Sequence, residues 1–272
     1  MYAQIPVAVA AILIMVSAAA FDVRSREVPD SHWTVMAVLG MVNLFLNHGV
    51  LYSAVCSSGY ILICAYMFSE KVTGVRARIV LSAAACLLIS ASVMVSGYAA
   101  VVTLSMTAVI LLMYHSGLIR GGADAKALIT ISMVYPVYPE LCSTFWFPVY
   151  PAGYILNPVF SILLMSLLLS SLVIIDILYR NAKRGKLGLS SYPMGIEDAR
   201  HSFVWPTEDA VDGEKVRMRA SEDTGAYDRM EASGYGEIMV MPMIPFLLPM
   251  AVALSVVVLF GSPVFILFGF SS

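Results

Sequence analysis

Long apolar runs, separated by short polar segments, form most of this chain. A helix that crosses a bilayer needs about 20 consecutive, mostly apolar residues. The pattern therefore predicts an all-α fold, a polytopic transmembrane helix bundle with about eight spans. The runs cover approximately residues 3–22, 31–48, 51–69, 78–97, 99–117, 125–139, 155–179 and 242–269.

One polar segment, residues 180–241, interrupts this pattern between the seventh and eighth runs. We therefore predict a transmembrane bundle of seven spans at 1–179, a small cytoplasmic segment at 180–241, and a last span within 242–272. A segment of about 60 residues is marginal as an independent domain.

The composition supports a membrane protein. Hydrophobic residues make up 60% of the 272 residues and charged residues only 12%, whereas a soluble domain carries about 25% charged residues. We expect the lipid bilayer as a partner and no nucleic acid. The four cysteines form no C-x-x-C pair, so we expect no zinc site, no other metal and no cofactor.

The positions of the basic residues predict the orientation of the spans. An exterior N-terminus places residues 23–30, 70–77, 118–124 and 180–241 in the cytoplasm, and all 16 lysines and arginines lie in or beside those segments. Basic residues favour the cytoplasmic side of membrane proteins. We therefore predict a multi-pass protein of the cytoplasmic membrane.

Two aspartates lie at the ends of apolar runs. Asp22 ends the first run, and Asp124 stands in the segment Gly121–Lys126, just before the sixth run. An acidic residue at the edge of a membrane segment is a candidate functional residue. Four spans separate the two residues, an even number, so both carboxylates are predicted at the cytoplasmic face.

Two neighbouring carboxylates can hydrolyse a peptide bond without a metal or a nucleophilic side chain. Repulsion between like charges lets the pair share one proton, and the two groups then titrate as a unit. The charged group accepts a proton from water, and the protonated group donates to the substrate carbonyl. The helix start and nearby Lys126 favour the charged form of Asp124.

Other roles are open to each acidic residue. Either Asp22 or Asp124 alone could be a helix cap or a charge at the lipid surface. Asp176 lies four residues before Arg180, which predicts an ion pair on one helix face. Asp30 or Ser31 can cap the second span.

Two segments resemble those of the type IV prepilin peptidases, and more closely those of their archaeal preflagellin and prepilin peptidase branch. The first, Asp22–Asp30, has an aspartate, the basic residue Arg24 and an aliphatic residue before Pro29. The second resembles G-x-G-D, with Gly121, Gly122 and Lys126 around the aspartate and Ala123 in place of the second glycine.

The resemblance implies an integral membrane aspartic endopeptidase with Asp22 and Asp124 as its catalytic pair. Such enzymes cut short basic leaders from archaellin or type IV pilin-like precursors at the cytoplasmic face. The archaeal branch is expected to have six spans, whereas this chain has eight predicted runs, with an extra hairpin between the aspartates. The zinc-binding cysteines of bacterial relatives are missing, so we expect no methyltransferase activity.

Two alternatives come from other classes. A presenilin-like intramembrane protease uses a similar aspartate motif, but its expected Pro-Ala-Leu motif is missing near the last span. A proton- or cation-coupled transporter would hold ionisable residues near the bilayer midplane in repeated halves, and we find no repeat.

Overall fold

The computed structural model describes residues 4–68, 98–119, 121–139, 157–183 and 188–263, with isolated positions between 80 and 91. The chain is mostly helical and divides into two compact units. Unit 1 comprises Met1–Leu167 and Pro245–Ser272, and unit 2 comprises Leu168–Ile244. The predicted span 78–97 and the cytoplasmic turn at 70–77 lie outside the described residues, apart from those isolated positions.

Helices form the described part of unit 1. They are α1 Gln4–Ser25, α2 Ser31–Asn47, α3 Val50–Phe68, α4 Tyr98–His115, α5 Gly122–Val134, α6 Pro158–Ser170, whose last residues enter unit 2, and α10 Leu247–Phe260. These helices coincide with seven of the predicted apolar runs. The last one begins later than predicted, because Pro242 belongs to a strand and helix α10 starts only at Leu247.

Helix α5 is the central helix of unit 1. Every residue from Ala127 to Val134 is buried, and α5 packs against both α2 and α4. The close approach to α2 depends on Gly40, since a Cβ atom there would lie 2.9 Å from the backbone carbon of Met133. Small residues allow helix backbones to pack this closely.

The end of α5 is held by polar side chains of its neighbours. The side-chain amide of Asn43 on α2 donates to the carbonyl of Val134 at 2.9 Å. The hydroxyl of Thr103 on α4 donates to the carbonyl of Ser132 at 3.0 Å. Because the last carbonyls of a helix have no partner within it, these bonds fix where α5 stands.

Two stretches are long and apolar enough to cross a membrane, Gln4–Ser25 and Pro158–Ala182. Only 33% and 28% of them is buried inside the protein. On α1, for example, Leu13 is 62% exposed. A water-facing helix surface is normally polar, so these two stretches, with apolar residues on their outer faces, are candidate membrane spans.

Unit 2 corrects the prediction of an all-α chain. It contains helices α7 Leu172–Ala182, α8 Ile196–Arg200 and α9 Gly225–Ala232 together with strands β1 Tyr192–Gly195, β2 Val204–Pro206, β3 Glu208–Val211, β4 Glu214–Arg217 and β5 Glu237–Pro242. Strands β1, β5 and β2 form an antiparallel sheet in that order, and β3 pairs with β4. The strands form because buried and more exposed positions alternate along the chain here, as they do in a strand. On β5, the side chains of Ile238 and Val240 point into a core with Tyr227 and Met230 of α9.

Candidate active site

The carboxylate of Asp22 lies in the last turn of α1. One of its oxygens accepts a hydrogen bond from the backbone N–H of Leu247, at 3.3 Å, where α10 begins. The guanidinium of Arg26 lies 3.9 Å from the other oxygen. The Asp22 side chain is only 15% exposed, and these two contacts bring a positive and a partly positive group to its carboxylate.

Asp124 lies in the first turn of α5, after Gly121 as the N-cap residue. Gly121 makes room for it: a Cβ atom at Gly121 would overlap the Asp124 carboxylate and lie 2.9 Å from its Cγ. The backbone angles of Gly121, φ −78° and ψ 117°, are open to any residue. The glycine is therefore needed at this position for space and not for backbone freedom.

The two carboxylates interact. Burial, and secondly the negative charge of Asp22, raise the pKa of Asp124 to about 7. Asp124 lies one residue before the predicted span 125–139, and it is outside the two long apolar stretches, Gln4–Ser25 and Pro158–Ala182. The structure thus brings the two predicted aspartates within electrostatic range of each other, and two carboxylates that interact titrate as a unit.

This arrangement differs from the expectation that Lys126 favours a charged Asp124. The Lys126 ammonium instead pairs with the Asp30 carboxylate at 2.5 Å. The reason is geometric, because α2 packs along α5 and brings its N-terminus to the first turn of α5. Asp30 is the N-cap residue of α2, as one of the two predicted candidates, but its side chain makes no capping bond to the helix.

The remaining residues of the two motifs are Arg24, Pro29 and Gly122. Arg24 is exposed in the last turn of α1, where a cation is favourable. Pro29 precedes α2, and its carbonyl accepts the backbone N–H of His32 at 3.1 Å. Gly122 has space, since the only atom of the described residues that a Cβ there would meet is the Tyr114 hydroxyl oxygen, at 3.7 Å.

The sequence indicated that Arg26 could orient Asp22, and the structure places the two together, but two features of the site were not predicted, the hydrogen bond from Leu247 and the turn at Arg26. Leu247 was predicted inside the last span, and nothing in the sequence connects its N–H with Asp22. Arg26 adopts a left-handed backbone conformation, with φ 58°, and ends α1 with its N–H bonded to the carbonyl of Asp22. The basic motif around Arg24 and Arg26 was a signal for charge near Asp22 but not for this turn.

Asp176 behaves as predicted. Its carboxylate pairs with Arg180 at 2.8 Å on the surface of unit 2. Among the residues that the structure describes, no group of three histidine, cysteine, aspartate or glutamate side chains could hold a metal ion.

Comparison with known proteins adds no identification. No protein-family model matches the sequence, and no curated protein matches it.

Proposed function

We propose that this chain is a membrane aspartic endopeptidase of the type IV prepilin peptidase kind, closest to the archaeal preflagellin and prepilin peptidases. It would remove short basic leaders from archaellin or type IV pilin-like precursors. The observation that carries the proposal is the pair Asp22 and Asp124, whose carboxylates interact although 101 residues, 23–123, separate them in the chain.

The different surroundings of the two aspartates give each a role in hydrolysis. Charged Asp22 accepts a proton as water attacks the carbonyl carbon of the scissile bond. Protonated Asp124 donates its proton to the carbonyl oxygen, which yields a neutral tetrahedral intermediate. Asp22 then returns its proton to the leaving nitrogen, and Asp124 recovers a proton as the carbonyl of the new carboxyl end forms again.

The membrane setting is part of the same proposal. We propose eight spans with an exterior N-terminus, which puts both aspartates at the cytoplasmic face. The two long apolar helices and their exposed apolar side chains support a membrane location. The distribution of basic residues supports the orientation. The apolar helix of the precursor would lie in the bilayer and present its leader at the cytoplasmic boundary.

The test is co-expression of the full chain with an archaellin or pilin-like precursor, followed by N-terminal sequencing of the product. We expect cleavage just before the apolar helix of the precursor, and loss of cleavage in Asp22→Asn and in Asp124→Asn. Asp176→Asn is the matched control, because Asp176 is an exposed aspartate paired with Arg180. Cleavage inside the apolar helix would instead favour a presenilin-like protease, and full activity of either asparagine variant would refute the proposed pair.

A further inference from the structure

The two carboxylates of the candidate site are held in different ways. The Asp22 carboxylate accepts the backbone N–H of Leu247 and lies 3.9 Å from the Arg26 guanidinium. The Asp124 carboxylate makes no hydrogen bond or ion pair with any residue that the structure describes. Because no such bond holds the Asp124 side chain, its position depends on the backbone of the first turn of α5.

The first turn of α5 is the less buried end of that helix. Gly122, Ala123 and Asp124 are half-buried, whereas every residue from Ala127 to Val134 is buried. The N-cap residue, Gly121, has no side chain to bond the first turn. Packing therefore fixes the later turns of α5 more firmly than the turn that carries Asp124.

Lys126 connects this end of α5 to α2. Its ammonium pairs with the Asp30 carboxylate at 2.5 Å. Asp30 begins α2, and its side chain makes no capping bond to that helix, so the carboxylate is available to Lys126. At the other end of the two helices, the side-chain amide of Asn43 bonds the carbonyl of Val134. Polar bonds thus join α2 and α5 at both ends.

The ion pair also joins the two segments that carry the aspartates. Asp30 comes eight residues after Asp22, and Lys126 comes two residues after Asp124. The short segment 26–30 connects α1 with α2, so a shift of α5 relative to Asp30 moves Asp124 relative to Asp22. We propose that Asp30 and Lys126 are positioning residues, whose ion pair sets the separation of the two carboxylates. Their effect on catalysis rests on the proposed function.

The first experiment measures leader removal by Asp30→Asn, which removes the charge and keeps the size of the side chain. An ion pair with a half-exposed partner contributes little to stability, whereas a displacement of about 1 Å in a reacting group slows a reaction severely. We therefore expect kcat to fall about tenfold or more, with KM changed less than about twofold. Asp30→Glu keeps the carboxylate and should keep most of the rate.

Glu27→Gln is the matched control. Glu27 is an exposed carboxylate of the same short segment and forms no ion pair with any residue that the structure describes, so this variant should cleave as the wild type does. A role of Asp30 in binding the basic leader would instead raise KM. The melting temperature of each variant checks that the fold is intact.

The second experiment measures the separation without any precursor. The full chain with Asp22→Cys and Asp124→Cys is oxidised in detergent, and the disulfide between positions 22 and 124 is quantified by peptide mass spectrometry. Disulfide formation requires two Cα atoms within about 7 Å, so adding Asp30→Asn should slow it about fivefold or more, and adding Glu27→Gln should not.

The two experiments separate this inference from the proposed function. The inference is overturned if Asp30→Asn leaves kcat or the rate of disulfide formation unchanged, if KM alone rises, or if no disulfide forms between the two positions. A wild type that cleaves no precursor would refute the proposed function, and the disulfide rates would still decide whether the ion pair between Asp30 and Lys126 sets the separation.

Discussion

The space that Gly121 leaves for Asp124 makes Gly121→Ala the sharpest test of the candidate site. The added Cβ would overlap the carboxylate and stand 2.9 Å from Asp124 Cγ. The atoms it meets are the end of one side chain, so the fold can accept the change by rotating Asp124. Forcing a side chain about 30° from its preferred rotamer costs about 0.5–1.5 kcal/mol, which most folds tolerate.

The effect on catalysis should be much larger than the effect on stability. A displacement of about 1 Å in a reacting group can reduce the rate about 100-fold. We therefore expect Gly121→Ala to cleave a precursor between about 10-fold and 100-fold more slowly. Initial rates of leader removal by the purified protein in detergent measure this, and the melting temperature of the same preparation measures stability.

Gly122→Ala is the matched control. Its Cβ would have only an ordinary contact with the Tyr114 hydroxyl, at 3.7 Å, and alanine is favoured over glycine in a helix by about 1 kcal/mol. This variant should keep the wild-type rate. If Gly121→Ala also keeps it, the position of the Asp124 carboxylate does not matter for cleavage, and the reasoning from this site fails.

Three further predictions concern the proton, the helix packing and unit 2. Because the pKa of Asp124 is about 7, cleavage should fall as pH rises through that value, and a pH–rate profile checks this. Folding stability should also decline between pH 3.8 and about 7, since the folded state retains a proton that the unfolded state releases; unfolding curves across that range check this. Gly40→Val should destabilise the fold by about 1–3 kcal/mol through overlap with Met133. Gly49→Ala should not, because no atom of the described residues would lie within 4 Å of the added Cβ; chemical unfolding distinguishes the two variants. Met230→Ala should cost about 2–5 kcal/mol because its side chain is fully buried, and an unchanged unfolding midpoint would contradict this.

The helices of unit 1 were predictable because each coincides with a long apolar run in the sequence. The runs 3–22, 31–48 and 51–69 correspond to α1, α2 and α3. The pairing of Asp22 and Asp124 was predicted from the even number of runs between them. That argument uses only the predicted side of the membrane on which each aspartate lies, so it could not supply the side-chain contacts of either carboxylate.

The contacts around the site were not predictable, because they join distant segments. Lys126 was assigned to Asp124 by proximity in sequence, but it reaches Asp30 on another helix. The hydrogen bond from Leu247 spans 225 positions. Local pattern contains no information on such pairs, since helix packing alone brings them together.

The sequence contained signals for the strands of unit 2, but the emphasis on long apolar runs obscured them. Asp212 and Gly213 both have positive φ, 53° and 83°, as the turn of a two-residue hairpin requires, and Asp-Gly between short alternating segments is typical of one. Strand β5 lies just before an apolar run and was included in the approach to the last span. Its alternation of buried and exposed positions distinguishes it from a helix.

The bond between Leu247 and Asp22 has a consequence for biosynthesis. The ribosome makes Leu247 225 residues after Asp22, so a nascent chain carries an aspartate whose surroundings are incomplete until α10 has emerged and packed on α1. Under the proposed function, a nascent chain that has not yet made α10 would be inactive, and cleavage of precursors would begin only once α10 has packed on α1.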